Sequence, residues 1–92
     1  MIELKNTVVV SQEQISTDMT NETVILHMGN GIYYGLDEVG SFIWKHIQAP
    51  RRVEEVINAL LEEYNVARDL ANGDTIRLLT DLEMKGLVKV VA

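Results

Sequence analysis

Cysteine is absent from this 92-residue sequence. Its absence excludes disulfide bonds, a thiolate nucleophile and a zinc site with cysteine ligands. It also favours a reducing compartment, and we expect the protein to be cytoplasmic. The sequence also lacks an apolar run close to the roughly 20 residues that span a bilayer, and residues 1–6 lack the basic and apolar segments of a secretion signal. We therefore expect one domain over residues 1–92, without a membrane partner.

Basic residues are scarce as well. The chain has 8 lysines and arginines against 14 aspartates and glutamates, which gives a formal net charge of −6. This balance disfavours a polyanionic partner, because binding to nucleic acid depends on neutralising phosphates with lysine and arginine. A basic or neutral partner is favoured instead.

The residues that usually carry catalysis or bind metals form no recognisable pattern. The two histidines, His27 and His46, are far apart in sequence and lack neighbouring ligands at metal-binding spacing. The glycines in Gly29–Gly31 do not continue into a dinucleotide-binding loop, because a strand pattern follows where that motif requires a helix. Ser41 lacks the second glycine of a nucleophile elbow. We expect no enzyme activity, no catalytic residue, no metal and no cofactor.

A turn at Gly29–Gly31 organises the first half of the chain. Its Gly-Asn-Gly sequence tolerates positive φ angles, and the flanking apolar stretches predict a β-hairpin with strands at residues 22–28 and 32–36. The β-branched run within Thr7–Ser11 predicts a further strand. If that strand pairs with the far side of the hairpin, residues 32–36 lie at the edge of the sheet.

Two further expectations concern the same region. The polar stretch Gln12–Thr20 is predicted to be a loop, since it lacks apolar periodicity. In the first hairpin strand, the apolar residues fall mainly on the face of Val24, Leu26 and Met28. We expect that face to pack on the core, as in a half-buried strand.

Helical spacing of apolar residues follows the hairpin. It predicts α-helices at Glu38–Gln48, Val53–Tyr64 and Ala67–Gly86, with a short extended tail after them. Asp37 can cap the first helix, and Pro50 ends it because proline cannot continue the hydrogen-bond ladder. Because the predicted strands precede the predicted helices along the chain, we expect an α+β fold of winged-helix type. It would consist of a three-stranded antiparallel sheet followed by three helices.

In the third predicted helix, a wheel drawn at about 100° per residue separates core positions from the rest. The predicted core stripe consists of Ala71, Thr75, Leu78, Leu79 and Leu82. Leu70 and Ile76 are apolar but fall off this stripe. We expect both side chains to be exposed and available to a partner.

Several short motifs occur in an order that is typical of one family. They are Tyr33–Gly40 followed by Ile43 and Trp44, then Val53–Val56, and finally Leu79, Leu82 and Gly86-Leu87-Val88. Across roughly residues 8–90 the chain resembles the PqqD-like family of precursor-peptide recognition domains, and it is most similar to the stand-alone versions found in lasso peptide biosynthesis. It departs from them at Asp74-Thr75, where relatives tend to have an acidic residue and valine.

The resemblance implies a domain that binds the N-terminal leader of a ribosomally made precursor peptide and delivers it to a leader protease and a ring-forming cyclase. An exposed strand edge supplies a mechanism, because its unpaired backbone groups can accept an added strand. We expect peptide-binding residues on that strand and on the off-core face of the third helix. They are Ile32, Tyr33, Tyr34, Gly35, Leu36, Asp69, Leu70, Gly73, Ile76 and Arg77.

Two other functions fit the same order of elements. A winged-helix domain can bind nucleic acid, but acidic residues outnumber basic ones in the third predicted helix, which therefore has no basic stripe. A protein-interaction or dimerisation module is the other alternative, in which the free strand edge and Ile76 pair with a second copy of the chain.

Overall fold

The computed structural model describes residues 2–92, which form six strands and three helices. In chain order the elements are β1 (Thr7–Val10), β2 (Gln14–Met19), β3 (Glu22–His27), β4 (Tyr33–Leu36), α1 (Glu38–His46), β5 (Arg51–Arg52), α2 (Val53–Glu63), α3 (Arg68–Met84) and β6 (Val88–Val90). The predicted α+β class, with a three-stranded antiparallel sheet and three helices, is confirmed. Within residues 2–92, no helix is long and apolar enough to cross a membrane.

The hairpin belongs to a sheet with the strand order β2, β3, β4, and all pairs in it are antiparallel. Its first strand, β2, lies in the stretch Gln12–Thr20 that was predicted to be a loop, so that prediction is wrong. The polar sequence of β2 concealed it. An edge strand with one solvent-facing side buries little apolar surface, and its sequence therefore lacks a clear alternation.

The predicted strand at Thr7–Ser11 exists as β1, but it does not pair with the hairpin. It lies between β5 and β6 in a second antiparallel sheet. The extended tail supplies β6, and its pairing continues beyond that strand: the Thr7 N–H donates to the Ala92 carbonyl at 2.8 Å, and the Val91 N–H donates to the Thr7 carbonyl at 2.8 Å. The second sheet thus joins the two ends of the described chain.

The buried face of β3 is the opposite of the predicted one. Thr23 and Ile25 are both 0% exposed, whereas Val24 and Leu26 are only half-buried and Met28 is exposed. Burial of Thr23 is possible because its hydroxyl lies 2.8 Å from the Ser41 Oγ and 3.2 Å from the Asp18 Oδ1, so its polar group is satisfied. A long-range hydrogen bond therefore makes the burial of this face of β3 possible.

One hydrophobic core draws on both sheets and all three helices. Its buried members are Ile2, Val8, Ile25, Leu36, Ile43, Trp44, Ile47, Val53, Val56, Ile57, Leu60, Ala71, Leu79, Leu82, Leu87 and Val88. Trp44, in α1, is 1% exposed, and its indole N–H donates to the Ser16 Oγ of β2 at 3.1 Å. The tryptophan therefore attaches the edge strand β2 to the helical layer.

Two helix ends follow the local signals in the sequence. Asp37 caps α1, since its Oδ1 accepts a hydrogen bond from the Gly40 N–H at 2.8 Å. At the other end of the helical part, Gly86 follows α3 with a φ of 76°, in the left-handed region that favours glycine. These two residues fix where β4 passes into α1 and where α3 passes into β6.

Candidate functional site

β4 is an edge strand. Within residues 2–92 it has a single strand neighbour, β3, with Ile25 opposite Tyr34 and Leu26 opposite Tyr33. The predicted position of this strand at the edge of the sheet is therefore correct. An edge of this kind carries backbone N–H and C=O groups that are free to pair with another chain.

Two hydrogen bonds decide which β4 residues have free backbone groups. The His27 N–H donates to the Ile32 carbonyl at 2.9 Å, and the Met28 N–H donates to the Glu13 carbonyl at 3.0 Å on the other side of β3. Backbone direction alternates along an antiparallel ladder. Tyr34 therefore directs its N–H and C=O towards β3, whereas Tyr33 directs its own towards the open edge.

The same alternation applies to the rest of β4. The N–H and C=O of Leu36, like those of Tyr34, point towards β3, where Leu36 pairs with Thr23. Those of Gly35, like those of Tyr33, point towards the open edge. Tyr33 and Gly35 together offer two donors and two acceptors at the edge. Apart from Gly35 itself and its two chain neighbours, no atom of residues 2–92 lies within 4 Å of the position that a Cβ on Gly35 would take, so the sheet surface at Gly35 is open.

α3 forms a second wall next to β4. The Lys85 ammonium lies 5.2 Å from the centre of the Tyr34 ring and 2.8 Å from the Asp81 carboxylate. Nearby, a cleft of about 370 Å³ separates α3 from the start of α1. The cleft is lined by Asp37, Val39, Gly40, Ile43, Asp74, Arg77 and Leu78. A strand added to β4 would therefore also face α3.

An apolar pocket of about 100 Å³ adjoins the cleft and shares Val39 and Asp74 with it. Its other lining residues are Leu60, Tyr64, Val66, Leu70 and Ala71. Leu70 is 57% exposed, as the helix wheel predicted. Val39 and Val66 carry no signal of a site in the sequence, because each looks like an ordinary core or linker residue until the three helices are brought together.

The predicted α3 residues are distributed over different sides of that helix. Arg77 lines the cleft, which reaches Asp37 directly after β4, and Leu70 lines the apolar pocket that adjoins the cleft. Gly73 and Ile76 lie on a shallow outer surface of α3, which Arg77 also lines. Asp69 is exposed but lines neither the cleft nor the pocket. The predicted α3 set is therefore not one wall of a single groove.

Ile76 differs most from expectation. It is half-buried and packs against the core, so the prediction of an exposed side chain is wrong. At about 100° per residue, it lies about 160° from Leu78 and about 180° from Lys85 around the helix. Since Leu78 and Lys85 mark the side of α3 that faces the cleft and β4, Ile76 points away from β4.

The charged groups beside β4 are largely paired within α3. The Arg77 Nη1 lies 3.1 Å from the Asp74 Oδ1, and Lys85 pairs with Asp81, so each cation has a carboxylate one helical turn away. These pairs are exposed, and exposed pairs contribute little to stability. They can therefore be rearranged at small cost when a charged ligand approaches.

Tyr64 is the titratable group near the cleft with a shifted pKa. Desolvation raises the pKa of its phenol, and its hydrogen bond to the Glu38 Oε2, at 3.1 Å, together with neighbouring acidic side chains raises it further. Across residues 2–92, no group of three or more histidine, cysteine, aspartate and glutamate side chains is placed to hold a metal ion. The arrangement thus offers backbone pairing and apolar contact.

A second exposed surface lies on the sheet itself. The register places Ile15, Leu26 and Tyr33 side by side on the face turned away from the core. Together with Met19 and Val24 they form the outer sheet face. Ile15, Met19 and Tyr33 are 57%, 55% and 68% exposed, so this face presents several large apolar side chains to solvent.

Comparisons with known proteins agree with this geometry. The profile of the family described as Coenzyme PQQ synthesis protein D (PqqD) matches residues 22–88. The chain is similar to the solved structure "TbiB1 in Complex with the TbiA(beta) Leader Peptide", with 36% identity, a TM-score of 0.84, and coverage of 91% of this chain and 98% of that one. No curated protein sequence matches the chain.

The chain is also similar to "Lasso peptide synthetase B1 complexed with the leader peptide", with 23% identity, a TM-score of 0.79, and coverage of 89% of this chain and 96% of that one. At that identity the likeness shows the fold. The resemblance predicted from the sequence motifs is confirmed by the family profile and by the solved structure at 36% identity. Since the family profile spans β3 to the start of β6 and the 36% identity extends over nearly the whole chain, this protein belongs to the PqqD family.

Proposed function

We propose that this protein binds the leader segment of a ribosomally synthesised precursor peptide, of the lasso peptide type, as an added strand on β4. The observation that carries the proposal is the open edge of β4, where Tyr33 and Gly35 present free backbone groups, on a strand that is followed directly by Asp37 of the cleft. The similar structure at 36% identity, described as a complex with a leader peptide, supports the same ligand class.

The alternation of β4 divides the peptide side chains into two sets. Peptide residues opposite Tyr33 and Gly35 would form the ladder bonds, and their side chains would extend the outer sheet face. Residues opposite Tyr34 and Leu36 would point towards α3 and the cleft. Affinity would then come from the backbone ladder, and selectivity from the side chains that enter the cleft.

The proposed contact residues follow from this geometry. Strand residues Ile32–Leu36 remain in the site, together with Leu70 in the apolar pocket and Arg77 in the cleft. We add Leu78, which lines the cleft, and Lys85, which lies over Tyr34. For Asp69, Gly73 and Ile76, contact with the peptide stays a prediction, and their placement away from the cleft makes them weaker candidates.

Delivery of the leader to a protease and a cyclase is the second part of the proposal. A delivering domain needs a surface for its partners that the peptide leaves open. The outer sheet face meets this requirement, because it presents exposed Ile15 and Met19 at a distance of two strands from the β4 edge. Residues 1–92 would act as a single peptide-recognition domain with a binding role and no catalytic one.

Hydrogen exchange with and without the leader peptide tests the binding mode directly. We expect the amides of Tyr33 and Gly35 to gain protection when the leader is present, because they acquire ladder bonds. The amides of Tyr34 and Leu36 already bond to β3 and serve as internal controls. The leader should bind with a dissociation constant in the nanomolar to micromolar range by calorimetry.

Two results would contradict the proposal. One is the absence of heat and of competition with the leader at high micromolar concentration. The other is protection of the opposite edge, at Gln14, Ser16 and Asp18 of β2, with β4 unchanged. Sedimentation of the free and loaded protein separates peptide binding from a dimerisation module, since pairing of two copies through β4 would be lost when the peptide occupies that edge.

A further inference from the structure

The ring of His27 organises the turn that precedes β4. Its Nδ1 accepts hydrogen bonds from the Gly29 N–H at 3.0 Å and the Asn30 N–H at 3.2 Å. The His27 carbonyl accepts from the Gly31 N–H at 2.8 Å, and the His27 N–H donates to the Ile32 carbonyl at 2.9 Å. Side chain and backbone of this one residue thus hold the whole turn.

The same ring packs against the end of α3. The His27 Nε2 lies 3.0 Å from the position that a Cβ on Gly86 would take, so the ring occupies space that any other residue at 86 would need. Gly86 directly follows Lys85, whose ammonium lies over the Tyr34 ring. His27 therefore connects the turn before β4 with the end of α3, the helix that forms the second wall next to β4.

The protonation state of the ring decides whether this connection holds. Because Nδ1 accepts two hydrogen bonds, the proton of the neutral ring is assigned to Nε2. A protonated imidazole donates from both nitrogens, so protonation would replace both turn hydrogen bonds with donor–donor repulsion. Imidazole is the side chain that ordinarily changes charge between about pH 5 and 8.

The charged neighbours do not restore the two turn hydrogen bonds. Glu13 precedes β2, and its Oε2 lies 3.4 Å from the position of a Cβ on Gly29. From α3, the nearest charged side chain in sequence to Gly86 is Lys85, which is directed to Tyr34 and Asp81. Gln14, opposite His27 in β2, is neutral. A protonated Nδ1 could donate to the Glu13 carboxylate, but it could no longer accept from the two N–H groups.

We propose that His27 is a positioning residue for peptide binding, which orders the turn before β4 through Nδ1 and sets the spacing of β4 and α3 by packing against Gly86. This inference rests on the proposed function, because it concerns the peptide that β4 accepts. As a consequence, tight binding of the leader requires the neutral form of the His27 ring. Leader affinity falls as His27 becomes protonated.

Three variants test this role. His27→Asn keeps an acceptor oxygen near the position of Nδ1 and cannot be protonated, whereas His27→Leu has no acceptor. His46→Asn is the matched control at the second histidine, which lies in α1 with its Nδ1 2.8 Å from the Phe42 carbonyl. Leader binding is measured by calorimetry at about pH 7.5 and about pH 5.5, one value towards each end of the range in which imidazole ordinarily titrates. Circular dichroism verifies folding at both values.

The expected results follow from the loss of two hydrogen bonds. Wild type and His46→Asn should bind the leader about tenfold more weakly at the lower pH, and His27→Leu should show a similar loss already at the higher pH. His27→Asn should retain most of the wild-type affinity at the higher pH and lose the pH dependence. If His27→Leu fails to fold, wild type and His27→Asn still decide the matter.

Two outcomes would overturn the inference while leaving the proposed function intact. One is wild-type binding that does not change with pH. The other is an equal fall in affinity for wild type and His27→Asn, which would assign the pH dependence to another group of the protein or the peptide. Absence of leader binding by the wild type at either pH would overturn the proposed function and this inference together.

Discussion

Tyr33 and Tyr34 are adjacent in β4, yet their backbones serve opposite partners. Tyr34 is paired with Ile25 of β3, whereas the N–H and C=O of Tyr33 point to the open edge. Their side chains differ in the same way, since Tyr33 is exposed and Tyr34 is half-buried beneath Lys85. This pair gives the strand-addition mechanism a matched internal test.

The first prediction uses backbone N-methylation of the two tyrosines in a synthetic chain. N-methyl-Tyr33 should keep its thermal stability and bind the leader more weakly, by about 1 to 3 kcal/mol, because an outward donor is lost. N-methyl-Tyr34 should melt at a lower temperature, since it loses a ladder bond to β3. Circular dichroism and calorimetry check the two effects. Equal behaviour of the two chains would show that the β4 edge is not the peptide site.

The second prediction compares two aspartate substitutions in α3. Leu70→Asp should weaken leader binding by about 1 to 3 kcal/mol with little change in stability, because the side chain is exposed beside the cleft. Ile76→Asp should mainly lower stability, since Ile76 packs against the core. Urea unfolding and calorimetry of both variants provide the comparison.

Leu79→Asp shows how much stability is lost when aspartate is placed at a fully buried position of α3. Leu79 is 0% exposed, so an unpaired carboxylate there should unfold the domain. Ile76→Asp should fall between Leu79→Asp and Leu70→Asp in stability. A stable Ile76→Asp variant with reduced leader affinity would restore the original assignment of Ile76 to the peptide site.

The third prediction concerns Thr75, which is 0% exposed and whose hydroxyl has no hydrogen-bond partner among residues 2–92. Thr75→Val removes the unsatisfied hydroxyl at nearly constant volume and should stabilise the fold by about 1 kcal/mol. Thr80→Val, at a half-buried position of the same helix, controls for the change in helix propensity. A loss of stability in urea for Thr75→Val alone would show that the hydroxyl has a partner in solution.

The fourth prediction concerns alkaline pH. The pKa of Tyr64 is raised in the folded state, so the folded protein holds this proton more tightly than the unfolded chain does. The resulting stability is fully present below the ordinary tyrosine pKa of about 10 and is lost as the pH rises through the higher folded value. Urea unfolding between about pH 9 and 11 should show a steeper loss for wild type than for Tyr64→Phe. Parallel curves would contradict the shift.

Local signals in the sequence were sufficient for several features of the fold. The Asp37 cap, the glycine after α3 and the hairpin at Gly29–Gly31 each depend on residues close in the chain, and each was predicted correctly. The strand β2 was missed because its stability depends on pairing with β3 and on the contact of Ser16 with Trp44. Neither contact leaves a periodic pattern in residues 14–19.

The candidate site was predictable in part for the same reason. Its location on the β4 edge follows from the hairpin. That Tyr33 and Gly35 are the residues with outward backbone groups depends on the hydrogen bond from His27 to Ile32, which the sequence does not specify. A helix wheel orders the residues of α3 by angle without showing which side faces β4. For Ile76, the wheel gives a position off the core stripe without showing that this position lies on the side away from β4.

The burial of Trp44 has an optical consequence. It is the single tryptophan of the sequence, it is 1% exposed, and it is bonded to β2 on the side of the sheet remote from the β4 edge. Its emission should be blue-shifted in the folded protein, should change little when a leader peptide binds at β4, and should shift to the red when β2 and the core separate. Tryptophan fluorescence can therefore distinguish unfolded variants from folded ones that have lost only their ligand.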